Sequence, residues 1–97
     1  MLIDAISAGI QAALVRQRVS AVNIANQLSE GFTAYRVTQR EGEPGAGPLV
    51  EVARTDAPVD LVSEIVTQIT TEQEVSLYAA VIGRQERALG SLLDVLA

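Results

Sequence analysis

The feature that most constrains the fold is an apolar repeat that runs from Leu61 to Leu96. Its members are spaced by three and four residues, which is the spacing of one face of a helix. Asp60 can cap this helix, and Glu64 lies in its first turn, where a carboxylate suits the helix dipole. Such a helix is roughly 50 Å long at 1.5 Å per residue, whereas a compact domain of this size is only ~25 Å across. It must therefore project from the molecule or pair with a second long helix.

The N-terminal part of the chain supplies that second helix, which is predicted over residues 2–28. Two apolar rows lie side by side on it, so its apolar face is wider than a coiled-coil seam and can contact two neighbours. The first row is Ile3, Ile6, Ile10, Ala13, Gln17, Ala21, Ile24 and Leu28, and the second is Val15, Val19 and Val22. The row predicted for the C-terminal helix is Leu61, Ile65, Gln68, Glu72, Val75, Ala79, Ile82, Glu86, Leu89, Leu93 and Leu96, and it is imperfect because Glu72 and Glu86 interrupt it.

Between the two predicted helices, the polarity of the sequence alternates from one residue to the next. Residues 32–40 and 49–54 alternate in polarity and carry β-branched and aromatic side chains, which is typical of strands. The stretch between them, 41–48, holds three Gly and two Pro and is predicted to be a loop. The predicted fold is therefore mainly α: two long terminal helices pair as an antiparallel, coiled-coil-like hairpin, with a short β-hairpin between them. One domain then contains an N-terminal assembly helix (1–30), a hairpin with its loop (31–58) and a C-terminal assembly helix (59–97).

Two asparagines interrupt the end of the first helix. Asn23 and Asn26 are three residues apart, so they share a helix face, although Asn amides compete with the backbone for hydrogen bonds. Gly31 follows and can adopt the positive φ that ends a helix and turns the chain. One interpretation is that both amides simply face solvent. The other is that they form hydrogen bonds across subunits or hold the turn from helix to hairpin.

The composition excludes most catalytic chemistry. The chain contains no His, no Cys and no Lys, so the usual nucleophile–base pairs and thiolate metal sites are missing. The Gly residues of the loop are not followed by the Gly-Lys-Ser/Thr of a phosphate-binding loop. We therefore expect neither an enzyme nor a bound cofactor or metal.

Charge and hydropathy limit the classes of partner that the chain is expected to bind. The net charge is −5 and the seven Arg are scattered, which argues against a nucleic-acid surface. No uninterrupted apolar stretch reaches the ~18 residues of a membrane span, so no membrane insertion is expected. Asp4 stands where a secretory signal would be basic, so we expect no cleaved signal peptide. With 97 residues and 3% aromatic side chains, the chain has few anchors for a core, so self-association or a partner is expected to stabilise it, and of these we expect a homo-oligomer.

Two separated segments resemble one protein family. Residues Val19, Ala21, Asn23-Ile24-Ala25-Asn26, Ser29, Gly31-Phe32 and Ala34 are similar to the opening signature of bacterial flagellar axial proteins. Residues Val59-Asp60-Leu61-Val62-Ser63-Glu64-Ile65-Val66 resemble the start of that family's last helix, and Ala80-Val81-Ile82 with Leu89-Gly90-Ser91-Leu92-Leu93-Asp94 resemble its end. Val22 stands where the family has a further Asn, and residues 71–79 differ from its usual sequence. The short middle resembles that of the small proximal-rod type and not that of the long distal-rod or hook type. The departures from the family's pattern leave a divergent, accessory paralogue as the alternative to a main rod subunit.

The resemblance implies a function. Members of the family are structural subunits of the flagellar basal-body rod, and they self-assemble through their terminal helices. The implied partners are other copies, other rod and hook–basal-body subunits, and the flagellar type III export apparatus, with a location in the periplasmic part of the basal body. The residues implied to carry assembly are Asn23, Ile24, Ala25, Asn26, Gly31, Phe32, Val59, Asp60, Leu61, Val62, Glu64, Leu89, Leu92 and Leu93. A small helical oligomerisation or adaptor module unrelated to motility fits the apolar faces equally well.

Overall fold

The computed structural model describes residues 2–96 and has the predicted fold class. The elements follow one another as α1 (Leu2–Ala25), β1 (Tyr35–Glu41), β2 (Pro48–Arg54) and α2 (Leu61–Leu96). The bounds of α2 agree with the prediction, whereas α1 ends three residues earlier than predicted. Asn26 is the reason, because its side chain bonds back to the carbonyl of Val22 and the chain then continues in turns. Met1 and Ala97, at the ends of the predicted assembly helices, lie outside the described residues.

The two helices pack antiparallel. Near the start of α2, the Ser20 hydroxyl donates to the Glu64 carbonyl at 2.9 Å. Further along, the Gln68 side-chain amide donates to the Gln17 carbonyl at 2.8 Å. Tyr78 lies against Gly9, where an added Cβ would stand 2.5 Å from the phenol oxygen. The contacts on α2 therefore advance toward its C-terminus as those on α1 return toward its N-terminus.

The seam between the helices differs from the predicted rows. On α1 the buried positions are Ile6, Gly9, Ala12, Ala13, Ser20 and Asn23. The first predicted row was wrong at Ile3 and Ala21, and the second at Val22, all of which are exposed. Leu28 was wrong for another reason: it lies beyond the end of α1 and is 93% exposed. Small side chains explain the difference, since they let α2 approach α1 closely on a face rotated away from the large aliphatic residues.

On α2 the buried face is also rotated. The predicted positions Gln68, Val75 and Ile82 are partly buried, as expected. The other predicted positions are exposed, namely Leu61, Ile65, Glu72, Ala79, Glu86, Leu89, Leu93 and Leu96. Glu64, Thr71 and Tyr78 face α1 in their place. Because α2 carries aliphatic residues on several faces, their spacing alone did not indicate which face packs inward.

The β-hairpin lies along a second side of α1. β1 and β2 pair antiparallel from Tyr35 opposite Arg54 to Glu41 opposite Pro48. At the tip, Gly47 has a φ of 85°, and a Cβ added there would lie 2.8 Å from atoms of Ala5 and Ala8. A seven-residue strand spans about 23 Å. The stretch of α1 from Ala8, which lies beside the hairpin tip, to Asn23, which bonds the first residue of β1, has about the same length. The wide apolar face of α1 thus contacts two neighbours, α2 and the hairpin, as predicted.

The molecule is long and thin. Its Cα atoms extend over 64 × 25 × 14 Å, with a radius of gyration of 17.5 Å, whereas a compact domain of about 100 residues has ~13 Å. Within the described part of the chain, the buried apolar side chains are Ile6, Ala12 and Ala13, and the buried polar ones are Ser20, Asn23 and Thr71. The most deeply buried part of the described chain is therefore a narrow strip that contains polar as well as apolar side chains. Among residues 2–96, no helix is long and apolar enough to cross a membrane.

Candidate assembly joint

Asn23 lies where α1, the hairpin and α2 meet. We call the contact of Asn23 with Tyr35 of β1 and Glu64 of α2 the joint. Its side chain is 1% exposed. Its Oδ1 accepts from the Tyr35 amide at 2.9 Å, and its Nδ2 donates to the Tyr35 carbonyl at 2.9 Å. These two bonds copy the paired bonds of an antiparallel strand neighbour. Asn23 therefore docks the first residue of β1 on the helix.

The same amide also reaches the second helix. Nδ2 of Asn23 donates its other proton to Oε2 of Glu64 at 3.0 Å. Both donors and the acceptor of the amide are thus used, as a buried amide requires. Asp lacks the donors and would add a charge beside Glu64, so the geometry favours Asn at this position.

The first turn of α2 is capped as the sequence predicted. The Asp60 carboxylate accepts from the Ser63 amide at 3.3 Å and from the Ser63 hydroxyl at 3.1 Å. This fixes the turn that carries Glu64, whose carbonyl accepts from Ser20 and whose carboxylate accepts from Asn23. The prediction that Glu64 belongs to the first turn is confirmed, but its bond to Asn23 was missed, because that bond depends on how the two helices are aligned.

Asn26 and Asn23 have different roles. Asn26 donates to the Val22 carbonyl at 2.9 Å, and its own carbonyl accepts from the Ser29 amide at 2.9 Å. These bonds are local and exposed, and they end α1 without contacting α2. Gly31 then adopts a φ of 75°, which confirms the predicted turn. The solvent-facing interpretation is thus wrong for the buried Asn23, whose side chain holds the helix-to-hairpin turn.

An aromatic and cationic cluster closes the base of the hairpin. The Phe32 and Tyr35 rings meet edge to face, with centroids 6.0 Å apart. The Arg54 guanidinium lies 5.2 Å from each centroid and donates to the Thr33 hydroxyl at 3.1 Å. Such cation–π contacts stabilise exposed sites modestly. Sequence reasoning singled out Phe32 but missed Arg54, which reaches the cluster only through the pairing of β1 with β2.

Beyond the joint, the seam between the helices contains an ion pair that the sequence did not reveal. Arg16 and Glu74 pair across the two helices, and both side chains remain partly exposed. Because the two helices are antiparallel, residues far apart in sequence become partners here. The pair adds a further side-chain contact between α1 and α2 along the seam.

The remaining motif residues divide between the two ends of the molecule. Ile24 and Val59 are partly buried near the joint, whereas Ala25, Leu61 and Val62 are exposed there. Leu89, Leu92 and Leu93 lie exposed near the far end of α2 and do not contribute to the joint. The structure therefore brings the motif around Asn23 together with the motif around Glu64, and leaves the leucines without a cover in the described chain.

No protein-family model matches the sequence, and no curated protein matches it significantly.

Proposed function

We propose that the protein is a structural subunit of the bacterial flagellar basal-body rod that self-assembles through its terminal helices. One observation carries the proposal. The two segments that resemble flagellar axial proteins, 19–34 and 59–66, meet at the joint through the hydrogen bond from Asn23 to Glu64. These two segments therefore form one contiguous part of the molecule, in which the helix, the hairpin and the second helix contact one another.

The exposed apolar surface supports a role as a subunit. The side of α2 that faces away from α1 carries exposed aliphatic residues, among them Val62, Val66, Ile69 and Leu77. Large exposed apolar patches mark interaction sites in soluble proteins. A thin chain with apolar residues on more than one side can bind several neighbours, and contacts that do not close into a ring build a filament.

The proposal includes the partners and place that the resemblance implies. The subunit contacts other copies and other rod and hook–basal-body subunits in the periplasmic part of the flagellum. The flagellar type III apparatus exports it without cleavage of a signal peptide. Assembly is favoured because neighbouring subunits remove the exposed apolar faces of the terminal helices from water.

Fractionation tests this proposal. An epitope-tagged copy is expressed from its own locus, and hook–basal bodies are purified and probed for the tag. We expect the protein in this fraction, at full length, and expect Asn23→Ala to reduce the amount incorporated while Asn26→Ala leaves it near the wild-type level. If the protein is absent from basal bodies and recovered instead in a cytoplasmic complex, the rod function is wrong and the adaptor alternative stands.

A further inference from the structure

The hairpin covers one side of α1. Asn23 bonds the first residue of β1, and Ala5 lies against the hairpin tip. These two residues are 18 positions apart, which is about five helical turns, so they share one side of α1. Leu14 is nine residues from each, about two and a half turns, and therefore faces the opposite side. Ile3 and Ala21 face this second side together with Leu14, and all three are exposed.

α2 also has a side that faces away from the hairpin. Ser63 lines the cleft between α2 and the hairpin, and Glu72 follows nine residues later, on the opposite side of α2. Ile65 and Ala79 are each seven residues from Glu72, so they share its side, and all three are exposed. Because the hairpin lies on the same side of both helices, their free sides form one surface, which we call the open face. Its residues are Ile3, Ile10, Leu14, Ala21, Leu61, Ile65, Glu72 and Ala79.

We propose that the open face packs against the open face of a second copy of the chain, with the twofold axis parallel to the helices. The result is a four-helix bundle, in which each α1 lies between its own α2 and the α2 of the second copy. Neighbouring helices in this bundle are all antiparallel, so their dipoles attract one another. All residues of the open face except Leu14 belong to the rows that the sequence predicted as seams, and the bundle gives those rows a partner.

Shape complementarity favours a second copy as the occupant. The contacts between α1 and α2 place Ala21 level with Ile65 along the helix axes. At the other end of α1 they place Ile3 level with Gly83. A twofold axis parallel to the helices keeps these levels, so each of these large aliphatic side chains meets a small residue of the second copy. Large residues that face small ones allow packed helices to interdigitate.

Charge complementarity favours the same arrangement. Glu72 lies on the open face, level with Leu14, and the exposed Arg18 lies one turn from Leu14 at the edge of that face. In the bundle, Arg18 is therefore about 6 Å along the axis from Glu72 of the second copy. Helix side chains lean toward the N-terminus of their own helix, and because these two helices are antiparallel, the two side chains lean toward each other. The dimer contains this ion pair twice.

The area of the open face is sufficient for a stable dimer. α1 has 24 residues and is about 36 Å long, and two packed helices are together about 20 Å wide. Each copy contributes about 700 Å², and the total of about 1,400 Å² lies within the roughly 1,200–2,000 Å² of specific interfaces. Glu86, on the same side of α2, lies level with the start of α1, at the end of the bundle where water reaches it. The outer side of α2, with Val62 and Val66, stays exposed in the dimer, and the inference does not rest on the proposed rod function.

Sedimentation velocity of the purified chain over a concentration series tests the proposal. We expect a dimer at micromolar concentrations, because interfaces of this size have dissociation constants from the micromolar range downward. Ile65→Glu places a charge in the apolar interface and raises the dissociation constant at least about tenfold. Gln73→Glu is the matched control, since it adds the same charge on the exposed outer side of α2, and it leaves the dissociation constant unchanged. Circular dichroism verifies that each variant remains helical.

Exchange of the two charges tests the register. Arg18→Glu and Glu72→Arg each set like charges against each other twice in the dimer, and each raises the dissociation constant about tenfold. A chain that carries both substitutions regains the attraction and dimerises as the wild type does. A double variant that dimerises no better than the single variants overturns the proposed register.

Cysteine pairing tests the orientation, because the chain has no cysteine of its own. A mixture of Ala21→Cys and Ile65→Cys chains forms a mixed disulfide. Leu14→Cys alone does not link to itself, because the two α1 helices lie diagonally across the bundle. A monomer at every concentration overturns the proposal, and so does a dimer that survives Ile65→Glu or one in which Leu14→Cys links to itself. Each of these outcomes leaves the basal-body fractionation unaffected, so the two proposals fail separately.

Discussion

Replacing Asn23 with Ala removes the residue that joins the three parts of the molecule. The substitution leaves the Tyr35 amide, the Tyr35 carbonyl and the Glu64 carboxylate without their partner. Two neutral hydrogen bonds contribute about 1 kcal/mol each, and the bond to the carboxylate about 2 kcal/mol. Allowing for water that enters the space, we expect Asn23→Ala to lower the free energy of unfolding by about 3 kcal/mol.

Because the core is small, a loss of about 3 kcal/mol is a large part of the free energy of unfolding. Domains of this kind are stable by only about 5–15 kcal/mol, and few side chains among the described residues are fully buried. Urea denaturation followed by circular dichroism measures the loss. Thermal melting shows it as a drop of more than about 10 °C in Tm.

A matched control and a mutant cycle separate the joint from helix capping. Asn26→Ala removes only local, exposed bonds, and we expect a loss below about 1 kcal/mol. Combining Asn23→Ala with Glu64→Ala should cost less than the sum of the single losses, because both remove one shared bond. If Asn23→Ala destabilises no more than Asn26→Ala, Asn23 does not hold the joint.

Three glycines give further predictions, all measured by urea denaturation. Gly9→Ala improves helix propensity by about 1 kcal/mol, yet we expect it to destabilise the protein, because the added Cβ would collide with Tyr78. In a Tyr78→Ala background the same substitution should stabilise the protein. A gain in stability in the wild-type background would contradict the close packing of Gly9 against Tyr78. Gly31→Ala should cost about 1–2 kcal/mol, since φ is 75° and the penalty is purely one of backbone. Gly90 lies in α2, and among the described residues no atom lies close to a Cβ added there, so Gly90→Ala should stabilise the protein by up to about 1 kcal/mol. If Gly31→Ala and Gly90→Ala change the free energy of unfolding equally, the argument from backbone conformation is wrong.

Local signals predicted the elements of the fold. Asp60 marks the start of α2 because a carboxylate there can accept from the Ser63 amide, and it does so. The alternation around Tyr35 and Val37 predicts β1 because successive side chains of a strand face opposite sides. Gly31 predicts the turn after α1 because it can adopt a positive φ. Each of these signals acts within a few residues.

The packing faces and the joint were not predictable in this way. Ile3 and Leu28 follow the helical period as well as Ile6 does, so the pattern could not indicate that only Ile6 is buried. The seam is set by small residues such as Gly9 and Ala13, which allow close approach but give a weak apolar signal. The bond from Asn23 to Glu64 joins residues 41 positions apart and exists only once the antiparallel alignment is known.

Deletion of the gene in its own bacterium tests the proposed rod function most directly, with basal bodies examined by electron microscopy and swimming measured in soft agar. The proposal predicts basal bodies with an absent or incomplete rod and cells that do not swim, both restored by the wild-type gene. Complete basal bodies with normal swimming in the deletion strain would contradict it.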